Sequence, residues 1–149
     1  MRITPFNMNI TPYTESLFRI AALTHEDMLA SSLTLPLEIL TGAAQALGRA
    51  GRQRLSTDCF SQVGGPLTIQ SGLTLATRPL SELTQADLLI VPAIWRQPQR
   101  VLHRHPEQIA VIEQHVGAGG LTISVGSGSF LLAETEHMTG RTMTTHWQW

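Results

Sequence analysis

Residues 121–133, LTISVGSGSFLLA, constrain the fold more than any other part of the chain. They predict a buried strand over 121–125, an abrupt turn on Gly126, Ser127 and Gly128, and a helix that begins at Ser129. Such a turn presents one residue at its tip, above the edge of a sheet, and in hydrolases that residue is a Ser or Cys nucleophile. Because the tip here is Gly126, the pattern predicts the architecture of an active site without its reactive side chain.

The rest of the chain alternates between strand and helix patterns. Strands are predicted at 17–23, 55–61, 88–91 and 141–149, a hairpin at 66–69 and 73–76, and helices over 28–50 and from Pro106 to Val116. Glu26 and Asp27 are expected in the first turn of the first helix, and 95–105 as a polar loop. The uniformly apolar run 88–91 is typical of a strand buried on both faces. This order predicts an α/β fold with a doubly wound, mostly parallel, flavodoxin-like sheet.

The domain organisation follows from the same pattern. Residues 1–16 are predicted as a loose lead-in, and 17–149 as one domain. The chain stops directly after a predicted strand, with no helix to return over the sheet. We therefore expect it to be the front part of a longer polypeptide, truncated at its carboxyl end.

Composition excludes several classes. A net charge of −1 and a pI near 6.6 give this segment no electrostatic footprint for nucleic acid. No apolar run is long enough to span a bilayer, and the amino terminus lacks the pattern of an export signal. The single cysteine, Cys59, excludes an internal disulfide. The expected location is the cytoplasm.

The turn itself has two interpretations of about equal weight: a cradle for an anion, or only a tight strand-to-helix connection. It is no dinucleotide fingerprint, because Leu131 stands where the third glycine belongs. Ser127 and Ser129 are weak candidates for nucleophiles, since activation requires a nearby base. Ser129 is expected to cap the helix.

The remaining candidates each have a structural alternative. His146 follows the turn and could face it, or could be a surface residue. Trp95 comes after a strand end, where open sheets bind ligands, but could also cover the core. His103 and His105 lack a third metal ligand. The other three histidines, His25, His115 and His137, are expected to be solvated. Cys59 is expected to be a buried, inert thiol.

Five pieces of sequence, taken together and in this order, resemble a known family. They are LPLEIL at 35–40, SGLTL at 71–75, ADLLIVP at 86–92, SVGSGSFLLA at 124–133 and TTHW at 144–147. The resemblance is to the amino-terminal domain of a group of AraC-family transcriptional regulators, a DJ-one/PfpI-like domain of the class I glutamine amidotransferase-like fold. It extends over about residues 18–149.

The resemblance implies that catalysis has been lost. Gly126 stands at the elbow cysteine, and Ser32 at the acid that accompanies it. Ala93 and Ile94 stand near the glycine pair whose amides form the oxyanion hole in enzymatic members. His146 alone is kept, and neither a cofactor nor a metal is implied.

The function implied is non-catalytic ligand sensing and dimerisation. A small-molecule effector, an amide, amine or carboxylate, would lie near Ser32, Trp95, Gly126, Ser127 and His146. The partner would be a second copy of the chain, with DNA bound only through a helix-turn-helix domain absent here, and no membrane. The alternatives are a hydrolase or glyoxalase-like enzyme with a non-standard nucleophile, Ser127 or Cys59, and a scaffold that only dimerises.

Overall fold

The computed structural model describes residues 16–48 and 53–147. Its strands are β1 (Ser16–Leu23), β2 (Gln53–Ser61), β3 (Gly65–Thr68), β4 (Thr74–Pro79), β5 (Leu88–Val91) and β6 (Leu121–Ser124). Its helices are α1 (Ala30–Gly48), α2 (Pro98–Arg104), α3 (Pro106–Gly117) and α4 (Ser129–Ala133). Short 3-10 turns occur at Leu80–Glu82, Gly126–Gly128 and Glu136–Met138.

The strands form one sheet in the order β3-β4-β2-β1-β5-β6. Every neighbouring pair is parallel except the hairpin of β3 and β4. After β1 the chain adds β2, β4 and β3 on one side of β1, and it then crosses to the other side to add β5 and β6. The predicted doubly wound, mostly parallel α/β sheet is confirmed.

The core occupies both faces of two adjacent inner strands, β1 and β5. Alternate residues of β1 and β5 point to opposite faces, so one set packs beneath α1 and the other beneath α2, α3 and α4. The first set contains Ile20, Ala22, Leu88 and Ile90, packed with Leu33 of α1; the second contains Ala21, Leu23, Leu89 and Val91, packed with Val101, Ile112 and Leu131. All four residues of β5 are buried, as the apolar run predicted.

The strand before the turn is not buried as expected. Leu121 is 62% exposed and Ile123 38% exposed. Both residues align with β5 positions on the α1 side of the sheet. That prediction was wrong because β6 lies at an edge of the described sheet, while α1 packs against β2 on the far side of β1.

Three further predictions about elements were wrong. Glu26 and Asp27 lie in the loop before α1, which begins at Ala30 and has no acid in its first turn. Residues 98–104 form α2 rather than a loop, with Pro98 at the first helical position, where its missing N–H costs nothing. Residues 141–147 contain no strand. The predicted lead-in 1–16 ends one residue too late, because Ser16 already belongs to β1. The rest of the lead-in, 1–15, and positions 49–52 and 148–149 lie outside the described residues.

No helix within the described ranges is long and apolar enough to cross a membrane.

The turn after β6 is held against β5 by a close approach of main chains. A Cβ atom added at Gly128 would lie 2.5 Å from the carbonyl oxygens of both Val91 and Pro92. Real Cβ atoms do not approach backbone oxygens so closely, and neither oxygen can rotate away. The space therefore admits only glycine at this position.

We predict that Gly128→Ala destabilises the protein by about 1–3 kcal/mol, the usual cost of forcing an extra methyl group into a packed site. The matched control is Gly42→Ala in the interior of α1, where an added Cβ meets nothing within 4 Å. The control should be stabilised by up to about 1 kcal/mol, because alanine is the better helix former. Urea unfolding measures both changes, and a Gly128→Ala protein as stable as the wild type would contradict the packing described.

Candidate functional site

The loops that follow β1, β5 and β6 meet at the end of the sheet where the carboxyl ends of these strands lie. These three strands are parallel neighbours, so their carboxyl ends lie side by side. In open α/β sheets, ligands bind in the crevice at this edge. We call residues 24–29 the β1 loop and residues 92–97 the β5 loop.

The turn after β6 has the shape of a nucleophile elbow. Gly126 has a φ of +49°, in the left-handed region that glycine adopts without steric cost. An added Cβ there would meet only the Ala93 Cβ, at 3.7 Å, an ordinary contact. The space at the tip would thus accept a side chain. A residue with a side chain would be strained at this φ, whereas glycine is not.

Ser32 fixes the β5 loop from the α1 side. Its hydroxyl accepts a hydrogen bond of 2.8 Å from the Ala93 N–H and donates one of 2.6 Å to the Leu29 carbonyl. Ser32 is 5% exposed. Ser32 therefore holds the main chain of the β5 loop from a buried position.

Ser127 fixes the same loop from the elbow side. Its hydroxyl donates a 2.6 Å hydrogen bond to the Ile94 carbonyl, and the side chain is buried. Ser129, in contrast, does not cap α4 as predicted. Gly128 occupies the N-cap position, and Ser129 is the buried first residue of the helix.

The β5 loop also pairs with the β1 loop along the main chain. The Leu29 N–H donates to the Ala93 carbonyl at 2.9 Å, and the Trp95 N–H donates to the Asp27 carbonyl at 2.7 Å. These bonds flank a single bridge between Met28 and Ile94. The Ala93 amide, near the expected oxyanion hole, is thus already bonded to Ser32.

Trp95 forms the rim of this edge. It is 45% exposed, and the guanidinium carbon of Arg96 lies 5.3 Å from the centre of its ring. Four of the five residues predicted to bind ligand therefore converge on the β5 loop: Ser32, Trp95, Gly126 and Ser127.

His146 is exposed, and its ring lies 5.4 Å from that of Trp147. The strand that was expected to carry it toward the elbow is absent. Its membership of the site stays a prediction.

A buried pair of histidines went unrecognised in the sequence. His25 is 1% exposed and His105 7% exposed, and their ring centres lie 5.3 Å apart. The expectation that His25 is solvated was therefore wrong. Burial, reinforced by the neighbouring His105 and partly offset by Asp27, lowers the pKa of His25 to about 4. Burial likewise lowers the pKa of His105.

No local signal in the sequence could have revealed this pair, because the two histidines are brought together only by the packing of the β1 loop on the start of α3. Across residues 16–48 and 53–147, no group of three or more His, Cys, Asp or Glu side chains is arranged to hold a metal ion.

A cavity of about 440 Å³ lies at the opposite end of the sheet, before β5 and beyond the end of α3. Its lining includes Arg19, Asp87 and His115. None of the residues predicted to bind ligand lines it.

Comparison with known proteins supports the fold assignment. No protein-family profile and no curated protein matches the sequence. Among solved structures, the chain is similar to an AraC family transcriptional regulator from Pseudomonas putida, with a TM-score of 0.65 and 20% identity over 81% of this chain and 72% of that one. It is also similar to a proposed transcriptional regulator from Vibrio parahaemolyticus, with a TM-score of 0.67 and 21% identity over 80% of this chain and 61% of that one.

A third similar structure is a ThiJ/PfpI domain protein from Brachyspira murdochii, with a TM-score of 0.54 and 13% identity over 81% of this chain and 64% of that one. The chain thus spans less than two thirds of the Vibrio and Brachyspira proteins. At these identities the likeness establishes the fold, which is shared by ThiJ/PfpI domains and AraC-family regulators. The resemblance predicted from the sequence is confirmed at that level.

We predict that Ser32→Ala destabilises the protein by about 1–3 kcal/mol, because it leaves the buried Ala93 N–H without an acceptor. The matched control is Ser31→Ala, an exposed neighbour in the same turn of α1, which should change stability by less than about 0.5 kcal/mol. Chemical denaturation of both variants provides the test. Equal stabilities would show that the Ser32 hydroxyl does not hold the loop.

Proposed function

We propose that this chain is a non-catalytic ligand-sensing and dimerisation domain of an AraC-type transcriptional regulator. The observation that carries the proposal is Gly126: the elbow keeps its shape and its open space but has no nucleophile. The fold shared with regulators from two bacteria supports the regulatory part. A small amide, amine or carboxylate would bind above Gly126, beside Trp95 of the β5 loop.

Sensing requires that the effector distinguish two states of the protein. A ligand shifts an equilibrium only as far as its affinities for the two states differ. The β5 loop is a suitable element, because it is linked by hydrogen bonds to α1, to the elbow and to the β1 loop. Ligand binding there would favour one arrangement of a cytoplasmic homodimer, and DNA contact would belong to a helix-turn-helix domain outside this chain.

The alternative, an enzyme with a non-standard nucleophile, has less support. The Ser127 hydroxyl is buried and donates to a carbonyl, so no base is arranged to accept its proton. Burial, together with the Asp58 carboxylate, raises the pKa of the Cys59 thiol. A thiol with a raised pKa is protonated at neutral pH and reacts poorly.

We predict that Gly126→Trp abolishes effector binding, because an indole at the tip would fill the space above the elbow. Titration calorimetry against a panel of small amides, amines and carboxylates identifies a binder in the wild-type protein, which is then tested with each variant. Gly126→Ala is the matched control, since it imposes the same backbone strain, about 1 kcal/mol, without blocking the space. Binding that survives in Gly126→Trp would place the ligand elsewhere.

We further predict that neither Ser127 nor Cys59 is labelled when the folded protein is treated with serine-directed and thiol-directed probes. The control is the same protein in denaturant, in which Cys59 should react because the thiol is then exposed. Mass spectrometry locates the adducts. Selective labelling of Ser127 or Cys59 in the folded protein would favour the enzyme.

A further inference from the structure

The His25–His105 pair is a polar cluster enclosed by the fold. His25 belongs to the β1 loop, and His105 joins α2 to α3. Gln108 of α3 completes the cluster: it is 1% exposed, and its Nε2 donates a 2.9 Å hydrogen bond to the Thr24 carbonyl. The cluster therefore fastens the β1 loop to the beginning of α3.

The atoms in this cluster are poorly satisfied. Within the described residues, neither ring nitrogen of His25 or of His105 has a hydrogen-bond partner, and Gln108 Oε1 has none. Most buried polar groups in proteins are hydrogen-bonded, and a buried charge without a partner is costlier still. Burial thus favours the neutral form of both imidazoles.

The charged groups around the pair offset that cost only in part. His25 faces His105 and Asp27, and the Asp27 carboxylate is shared with Arg100 at 2.8 Å and Arg104 at 3.5 Å. Around His105 lie Arg104 and three carboxylates, those of Glu26, Asp27 and Glu107. The nearest of these atoms, Glu26 Oε2, is 3.7 Å from His105 Nε2 and belongs to an exposed side chain. A proton on His105 would draw its ring toward solvent and Glu26, away from His25.

The β1 loop also anchors the β5 loop. Its Asp27 carbonyl accepts the Trp95 N–H, and its Leu29 N–H donates to the Ala93 carbonyl. A movement of the β1 loop away from both α3 and the β5 loop would break both bonds. The histidine pair is therefore connected, through one short segment, to the edge of the sheet that carries Gly126 and Trp95.

We propose that the His25–His105 pair is an acid-sensitive latch, which holds the β1 loop closed while both rings are neutral and releases the β1 and β5 loops when a ring takes up a proton. The latch does not depend on whether the β5 loop binds an effector. It depends only on the contacts of the β1 loop with α3 and with the β5 loop.

The direction of the effect follows from proton linkage. In the closed form the pKa of His25 is about 4, whereas in a released, hydrated loop the pKa returns to its ordinary value of 6.5. The open form therefore binds protons more readily, and opening becomes more favourable as the pH falls from about 6.5 to about 4. Below that range both forms are protonated, and the dependence ends.

Amide hydrogen exchange at Leu29 and Trp95 tests the latch, since both N–H groups span the two loops. After correction for intrinsic rates, exchange at both should rise roughly fifty-fold between about pH 7 and pH 4.5. The amide of Ile90, in the buried centre of β5, should stay more protected than either throughout.

His25→Phe should remove most of this pH dependence, because the phenyl ring has no group that takes up a proton in either form of the loop. His103→Gln, at an exposed position in α2, is the matched control and should behave as the wild type. Exchange at Trp95 that tracks Ile90, that does not respond to pH, or that responds equally in His25→Phe would overturn the proposal.

If His25→Phe does not fold, imidazole NMR of the wild-type protein decides. Titration of His25 well below its ordinary range, together with shifts at Leu29 and Trp95, supports the latch. Titration near 6.5, or without those shifts, overturns it.

Discussion

The hydrogen bonds that hold the main chain of the β5 loop are the constraint on which the rest of this edge depends. The Ala93 amide and carbonyl, the Ile94 carbonyl and the Trp95 amide are each paired. A loop can lie in the interior of a protein only when such groups are satisfied, because an orphaned buried amide costs as much as a lost hydrogen bond. Two serine hydroxyls and the β1 loop satisfy them here.

The same hydrogen bonds occupy the groups that a nucleophile or an oxyanion hole at this end of the sheet would use. An oxyanion hole requires free amides, whereas the Ala93 amide is bonded to Ser32. A serine nucleophile requires a base, whereas the Ser127 hydroxyl serves the Ile94 carbonyl. Two serine hydroxyls, those of Ser32 and Ser127, hold the loop, and Gly126 at the tip of the elbow has no side chain.

How much of this could be predicted depended on where the determining contacts lie along the chain. The central strand β5 and the elbow were predicted because their signals are local: a uniformly apolar run, and a glycine-rich break before a helix. α2 was missed because seven residues are too few to establish a helical period, although Val101 and Leu102 are buried. The exposure of β6 depends on the neighbours that the sheet gives it, which no local pattern encodes.

The histidines illustrate the same limit more strongly. His25 and His105 are eighty residues apart in the sequence, and each is surrounded by polar residues that suggest a surface position. Their burial depends on the packing of a loop against the junction of α2 and α3, and therefore on tertiary structure alone. Ser32 was identified as a site residue through the family resemblance, but its bond to Ala93 spans 61 positions and could not be anticipated.

The pairing of the β1 and β5 loops means that two different inputs would act on one element. A molecule bound above Gly126 would contact the β5 loop directly, and a proton on the histidine pair would reach it through Asp27 and Leu29. Coupling between two such events is reciprocal: if effector binding requires the closed loop, it must also lower the affinity of His25 for a proton. The strength of that coupling is limited by the free energy of the bonds that the two loops share, so loosening the β1 loop would weaken the coupling between proton and effector.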